Sequence, residues 1–294
     1  MKRRIVIVGA GGRLGAALQR AYASEHHVVG FNHAQLDLAA PEQIRAILGG
    51  IEFDVMINSA AQTNVDRCET HQDEAFLLNA EAPRVLAEIC SAKRAKLIHI
   101  STDYVFDGRT STPCGEDDPA NPISVYGESK LEGEKGVLEI DVRHVAARVS
   151  WVFGPDRPSF IDWLIGQARE KEEVQAVADK FSTPTYTVDV AEMLRPLMEE
   201  DGTSGIFHLA NDGGCSWQEY GQWALDCCIE AGLPMKARHV GAISLADMKN
   251  FIAQRPVHTV LSTEKYQRLS GRSPRHWKDA VAEYVREHVQ SRNS

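Results

Sequence analysis

Tyr126 and Lys130 stand four residues apart in the stretch VYGESKLEGE, Val125 to Glu134. On a helix that spacing brings both side chains to one face. A phenol with an ordinary pKa of about 10 becomes a usable acid or base near neutrality when an ammonium group stabilises the phenolate. The same residues also suit the first turn of a solvated helix rich in Glu and Lys. The pair therefore acquires chemical meaning only from its context.

Two other stretches supply that context. RIVIVGAGGRLG carries Gly9, Gly12 and Gly15 in a GxxGxxG pattern, with Arg13 and Leu14 between the last two, ahead of the helical segment LGAALQRAYA. Glycines are needed where a strand turns sharply into a helix and where backbone approaches a diphosphate at the helix N-terminus. A tight turn that merely packs well is the plainer alternative, and the strand before with the helix after favours a dinucleotide. Further on, KLIHISTDYVFDG ends a strand in Ser101, Thr102 and Asp103. Ligands of open α/β sheets bind beyond the carboxyl ends of the strands, so hydroxyls placed there can reach a substrate, although Ser and Thr end many strands for no chemical reason.

At the end of the second strand, GFNHAQLDL sets Asn32 where NAD-selective proteins often carry an acid for the ribose hydroxyls. With Arg13 in the glycine loop, a 2′-phosphate meets no anionic repulsion and one cation, so NADPH is permitted beside NADH. Asp37 is the next acid, and it either approaches the adenine or caps the helix that begins near Pro41; Leu38 beside it joins the candidate cofactor-binding set.

The elements that must position these residues follow from hydrophobic patterning. RIVIVGA, HHVVGFN, FDVMINSAA, KLIHIST and HVAARVSWV are compact apolar runs, as strands buried on both faces should be. EAPRVLAEICSAKR spaces Val85, Leu86, Ile89 and Cys90 as a crossover helix does. The expected fold is α/β, a Rossmann-type doubly wound parallel sheet with a smaller C-terminal α/β substrate-binding region. Residues 1–154 would form the dinucleotide-binding domain and 155–294 mainly the substrate-binding region, with some segments returning to the first. Ser216 and Glu219 have capping-box spacing, which predicts a helix start, and Trp217 and Trp223 within that helix read as packing anchors.

Composition excludes several classes. The chain has 294 residues, 43% hydrophobic and 25% charged, ordinary for a globular protein, and its net charge of −9 with no long basic block argues against nucleic acid. The six cysteines contain no CxxC, which suggests reduced thiols in the cytoplasm. The apolar run at the N-terminus is too short for a signal segment or a membrane span, so a soluble protein is expected.

At the residues quoted, the chain looks like an extended short-chain dehydrogenase/reductase. More narrowly it resembles the dTDP-4-dehydrorhamnose reductase family, whose patterns are echoed in GAGGRLG, INSAAQTNVDRCE, ISTDYVFDG, PISVYGESKLEGE, RVSWVFG and DKFSTPTYTVDVAE, and onward to RPVHTVLSTEKY. The resemblance implies a catalytic set of Thr102, Tyr126 and Lys130, with Ser101 as a second hydroxyl. Thr102 and Tyr126 would bind the substrate carbonyl and Tyr126 would donate its proton. Lys130 would hold the nicotinamide ribose and lower the tyrosine pKa. It further implies that Ala60 and Ala61 lie along the cofactor and that Trp151 and Asp103 approach the sugar. Arg255 would either meet the substrate's diphosphate or form a structural salt bridge. Two departures stand out: Asn32 replaces an acid of some relatives, and His258 and Thr259 replace the usual Asn and Ser after Arg-Pro.

The implied activity is NAD(P)H-dependent reduction of the 4-keto group of dTDP-4-dehydro-L-rhamnose to dTDP-L-rhamnose. The alternatives are a reductase or epimerase of another nucleotide-linked keto sugar, and a non-catalytic NAD(P)-binding regulatory subunit, against which all three catalytic residues argue. The family often forms homodimers, and no carboxylate cluster predicts a metal.

Overall fold

The structure, a computed structural model, describes residues 2–200 and 202–290. The five apolar runs form parallel strands β1 (Arg4–Val8), β2 (His27–Phe31), β3 (Val55–Asn58), β4 (Lys96–Thr102) and β5 (Val145–Val149). They alternate with helices α1 (Arg13–Tyr22), α2 (Pro41–Gly49), the short α3 (Val65–Thr70) and α4 (Gln72–Phe76), then α5 (Ala82–Ala92) and α6 (Val125–Ile140). Strand alternation sends Ile5 and Ile7 to one core and Val6 and Val8 to the other, so both faces of the sheet are buried.

The chain then leaves the sheet and returns. After β6 (Val152–Phe153), α7 (Phe160–Glu170), β7 (Val174–Val177), β8 (Phe181–Ser182) and β9 (Thr185–Tyr186), helix α8 (Thr187–Glu199) packs beside α1, its Val190, Leu194 and Leu197 in the same core as Ile5 and Ile7. Strand β10 (Gly205–His208) adds to the sheet edge in parallel with β5. The sheet order is β10-β5-β4-β3-β1-β2. Winding reverses between β1 and β3, and this switch point opens a crevice at their carboxyl ends.

A second core lies outside the sheet. There α7, β11 (Cys215–Ser216), α9 (Trp217–Glu230), β12 (Val240–Ile243) and α11 (Trp277–Tyr284) gather, with Phe153, Tyr186, Tyr220 and Trp277 packed between α7, α9 and α11, while α10 (Glu264–Ser270) returns to the sheet and puts Tyr266 into the core of Ile5 and Ile7. The capping box starts α9: Glu219 N–H donates to Ser216 Oγ at 3.1 Å and Ser216 N–H to Glu219 Oε2 at 2.7 Å. Trp223 packs as an anchor and donates its indole N–H to the Lys278 carbonyl, whereas Trp217 also lines a cleft. Among the described residues no helix is long and apolar enough to cross a membrane.

Candidate active site

A cleft of about 980 Å³ runs along the carboxyl edge of the sheet, from the glycine loop to the N-terminus of α6. At one end the loop folds tightly. Gly9 has φ +84°, a region that costs a side chain strain, and a Cβ there would lie 2.7 Å from Ala60 N. Gly15 has a different reason: its Cβ would come within 2.2 Å of the Gly9 carbonyl oxygen. The loop thereby aims the first turn of α1 into the cleft, where its N-cap Gly12 offers no side-chain acceptor and the first turn holds no acid. The unmatched first-turn amides and the helix dipole suit a diphosphate, and Leu14, Ala60 and Ala61 wall the path a dinucleotide would take.

At the adenosine end Asn32 lines the cleft while its Oδ1 accepts from the Ala34 and Gln35 amides, which holds the turn after β2. Leu38 lines the cleft from beneath. Asp37 turns away and caps locally, its carboxylate accepting from Ala39 N–H at 2.9 Å. Arg13 is also placed differently from a phosphate-reading cation: its guanidinium donates to the carbonyls of Arg157, Val152 and Pro158 and so ties α1 to the loop after β6. From that loop Arg157 donates to Gly11 O at 2.6 Å and reaches the cleft beside Asn32. Arg157 is a candidate cofactor residue that the sequence concealed, because it arrives from far along the chain.

At the other end, α6 is not the solvated helix its Glu and Lys content suggests. Tyr126, Lys130 and Glu134 are all buried. Ser124 caps the helix, its Oγ accepting from Gly127 N–H, and glycines let it approach: a Cβ at Gly127 would lie 2.3 Å from Tyr104 O, and one at Gly133 2.1 Å from Asn79 O. Asn79 sits in a π-helical turn, Leu77–Glu81, and bonds Gln62 and Ser129, fastening the loop after β3 to α6. Glu134 takes a two-point ion pair from Arg148 of β5 at 2.9 and 2.7 Å, both side chains 2% exposed. These contacts set Tyr126 against the end of β4 with its ring edge-on to Tyr104, centroids 5.5 Å apart.

Ser101, Thr102, Tyr126, Lys130 and Trp151 converge on the cleft. Burial pushes the Tyr126 phenol up, with the Thr102 hydroxyl pulling it back. Burial also pulls the Lys130 amine down to about 8, with Glu134 opposing. The amine lies on Ile100 O at 2.7 Å and His99 Nε2 at 3.1 Å, so its hydrogen bonds run to β4. The buried Ser101 Oγ and Trp151 Nε1 have no partner among the described residues, and Trp151 holds φ +38°, strained for a non-glycine residue. Unspent donors at a strained position are what a polar ligand would satisfy.

Asp103 lines the cleft and anchors a buried hub. Its carboxylate accepts from Thr102 Oγ1 at 3.1 Å, Ser182 Oγ at 2.9 Å and Thr259 Oγ1 at 2.5 Å. Burial pushes this carboxyl up, with Lys180 and those hydroxyls pulling back. Thr259, one of the two departures, therefore retains a hydroxyl where one is used. A second, apolar cleft of about 450 Å³ shares Thr63, Val65 and Tyr104 with the first and is walled by Trp163, Trp217 and Phe251. Arg255 backs it but is already engaged, giving Asp66 a two-point ion pair at 3.0 and 2.7 Å and stacking 3.7 Å above Phe251.

Known proteins share this arrangement. Residues 3–290 match the family model described as RmlD substrate binding domain. A dTDP-4-dehydrorhamnose reductase of Aggregatibacter actinomycetemcomitans is 31% identical over 95% of this chain and 97% of its own. A probable dTDP-4,6-dihydroxy-2-methyloxan-3-one 4-ketoreductase of Streptomyces antibioticus is 35% identical over 95% and 94%. The crystal structure of dTDP-4-dehydrorhamnose reductase from Bacillus anthracis in complex with NADP superposes with a TM-score of 0.89 at 32% identity, covering 98% of this chain and 99% of that one. With glycine loop, strand-end hydroxyls and Tyr-Lys helix set along one cleft, the chain belongs to the dTDP-4-dehydrorhamnose reductase family.

Proposed function

We propose that the protein reduces the 4-keto group of dTDP-4-dehydro-L-rhamnose with NADPH or NADH, giving dTDP-L-rhamnose. The observation that carries this reading is the meeting of Ser101, Thr102, Tyr126 and Lys130 at the end of the cleft opposite the glycine loop. When bound there, a reduced nicotinamide supplies the hydride. Tyr126 gives its phenolic proton to the carbonyl oxygen as negative charge develops on it, Ser101 donates to the same oxygen, and Thr102 joins it by turning its hydroxyl away from Asp103. Donors fixed at that point stabilise the transition state more than the ketone. Lys130 holds the ribose, and Arg157 in place of Arg13 supplies the cation for a 2′-phosphate. The region after residue 154 supplies most of the substrate site: its aromatic cleft would take the flat base, with Arg255 fixing the cleft wall through Asp66 and Phe251. Free, buried cysteines accord with a cytoplasmic setting.

A second reading, another dTDP-linked keto sugar, is favoured by the 35% identity to the Streptomyces 4-ketoreductase. The test follows loss of NADPH and NADH absorbance with dTDP-4-dehydro-L-rhamnose and with other nucleotide-linked keto sugars. Turnover fastest with the rhamnose precursor supports the first reading, and turnover confined to another sugar replaces it with the second. Tyr126→Phe should lower turnover by about 10²-fold or more while cofactor affinity stays near wild type; an unchanged rate removes Tyr126 from the mechanism.

A further inference from the structure

Behind the cleft a row of buried polar groups leads from the loop after β3 to Lys130, and its hydrogen-bond directions are set from one end. Ala60 N–H donates to Asn58 Oδ1 at 3.1 Å. That contact turns the Asn58 amide so that its Nδ2 donor faces His99 Nδ1, also at 3.1 Å. A ring nitrogen that accepts carries no proton, and burial keeps His99 from taking a second one. The single ring proton therefore lies on Nε2, aimed at Lys130 Nζ 3.1 Å away. An ammonium has no lone pair to receive it, whereas a neutral amine has one, and that amine still donates to Ile100 O at 2.7 Å. Asn58 and His99 are 0% exposed and Lys130 1%, so water does not rescue a mismatched pair.

We infer that Asn58 and His99 are positioning residues that favour the neutral amine form of Lys130, so that in mildly alkaline solution the amine is largely neutral before the cofactor binds and cofactor binding draws a proton from solvent onto it. The inference rests on the proposed reading in one respect, that Lys130 meets the cofactor's ribose. Hydroxyl acceptors and a nearby diphosphate favour the ammonium, which leaves the donor on His99 for the cleft. The step forms one N–H bond and breaks none in the protein. Its consequence is that in mildly alkaline solution, near pH 9, most of the positive charge beside Tyr126 arrives together with the cofactor. The groups facing Lys130 accord with this: Tyr126 and Glu134 lie on its own helix, His99 faces it from β4, and Glu134 has its charge matched by Arg148 from β5.

Two measurements test it. In the cofactor-free protein, ¹⁵N spectra of the histidine rings should show His99 with its proton on Nε2; a proton on Nδ1, or on both nitrogens, overturns the inference without reference to any ligand. Calorimetric titration with NADPH in buffers of different ionisation enthalpy then counts protons. A free lysine near 8 that returns to its ordinary value on binding takes up on the order of 0.9 proton at pH 9 and about 0.1 at pH 7. Tight binding with no uptake at pH 9 overturns the inference and leaves the proposed function standing. Failure to bind either NADPH or NADH overturns the proposed function, while the ring spectra still decide the state of His99. In Asn58→Asp, one carboxylate oxygen accepts from Ala60 and the other from His99 Nδ1–H, so the ring turns its lone pair to Lys130. Uptake at pH 9 should then fall at least threefold, and an unchanged count overturns the role given to Asn58.

Discussion

Replacing Gly15 by alanine asks how much of the cofactor site depends on one close approach. The added methyl would sit 2.2 Å from Gly9 O, 2.7 Å from Gly9 C and 2.9 Å from Ala10 Cα, all of them backbone atoms that have no rotamer to change. A comfortable carbon–oxygen contact is about 3.3 Å or more, so the first turn of α1 has to retreat by about 1 Å from the loop. Overpacking of this kind costs about 1–3 kcal/mol, which for a chain of this size lowers the melting temperature by roughly 2–5 °C. A displacement of about 1 Å at the helix N-terminus also misaims the amides meant for the diphosphate and should weaken NADPH binding by about 10²-fold. Circular-dichroism melts and fluorescence titration with NADPH read the two effects separately. The control is Gly166→Ala in α7, where a Cβ meets nothing within 4 Å. There the better helix propensity should add up to about 1 kcal/mol and raise the melting temperature by up to about 2 °C, with NADPH affinity unchanged. A Gly15→Ala protein that melts within a degree of wild type and binds NADPH equally well would refute the packing argument.

Two other perturbations separate roles that look alike on paper. Arg157→Ala should weaken NADPH binding about tenfold or more relative to NADH, the worth of a charge-assisted hydrogen bond to a 2′-phosphate; equal losses for the two cofactors would make Arg157 a loop anchor only. Asp66 is held down to about 2 chiefly by its hydrogen bond to Arg255. A carboxylate depressed on folding contributes stability that is fully present above its unfolded pKa, about 3.9, and is lost as pH falls towards 2. Asp66→Asn should therefore be less stable than wild type at pH 6, and denaturant midpoints should converge as pH falls from 4 to 2. A gap that stays constant across that window would assign the destabilisation to something other than the charge.

Much of the fold was legible because the signals were local. Strands buried on both faces must be apolar throughout, and four such runs announced β1, β3, β4 and β5; the fifth, HHVVGFN, is a strand as expected, but at the sheet edge with Val29 45% exposed and not buried on both faces. The glycine loop was readable too, since a strand, a tight turn and a helix follow one another directly. Strand β10 was not announced: GIFH is four residues long, and it joins the sheet only because β5 offers it an edge. Helix α6 misleads by composition. Its Glu and Lys suggest solvent, yet Glu134 is buried because Arg148, on a separate strand, supplies the matching charge.

The site divides the same way. Residue types and their spacing, Tyr126 with Lys130 and Ser101 with Thr102 at a strand end, marked the candidate groups, and the family resemblance implied a reductase chemistry for them. What they could not contain was the direction in which each group is committed. Arg13 lines the cofactor cleft yet gives its guanidinium to three carbonyls in and after β6, and Arg255, which the sequence left between a ligand contact and a structural salt bridge, pairs with Asp66. Arg157 looks like a loop residue and reaches the cofactor cleft. His99 was visible only as one polar residue inside an apolar strand, and its meaning depends on Asn58 and Lys130 meeting it from either side. The sequence alone determined the kinds of groups and the local geometry of turns, strands and caps, because those depend on neighbours along the chain. The tertiary structure alone decided which polar groups remain free for ligands, because a hydrogen bond or ion pair is taken up by whatever partner folding brings within 3 Å.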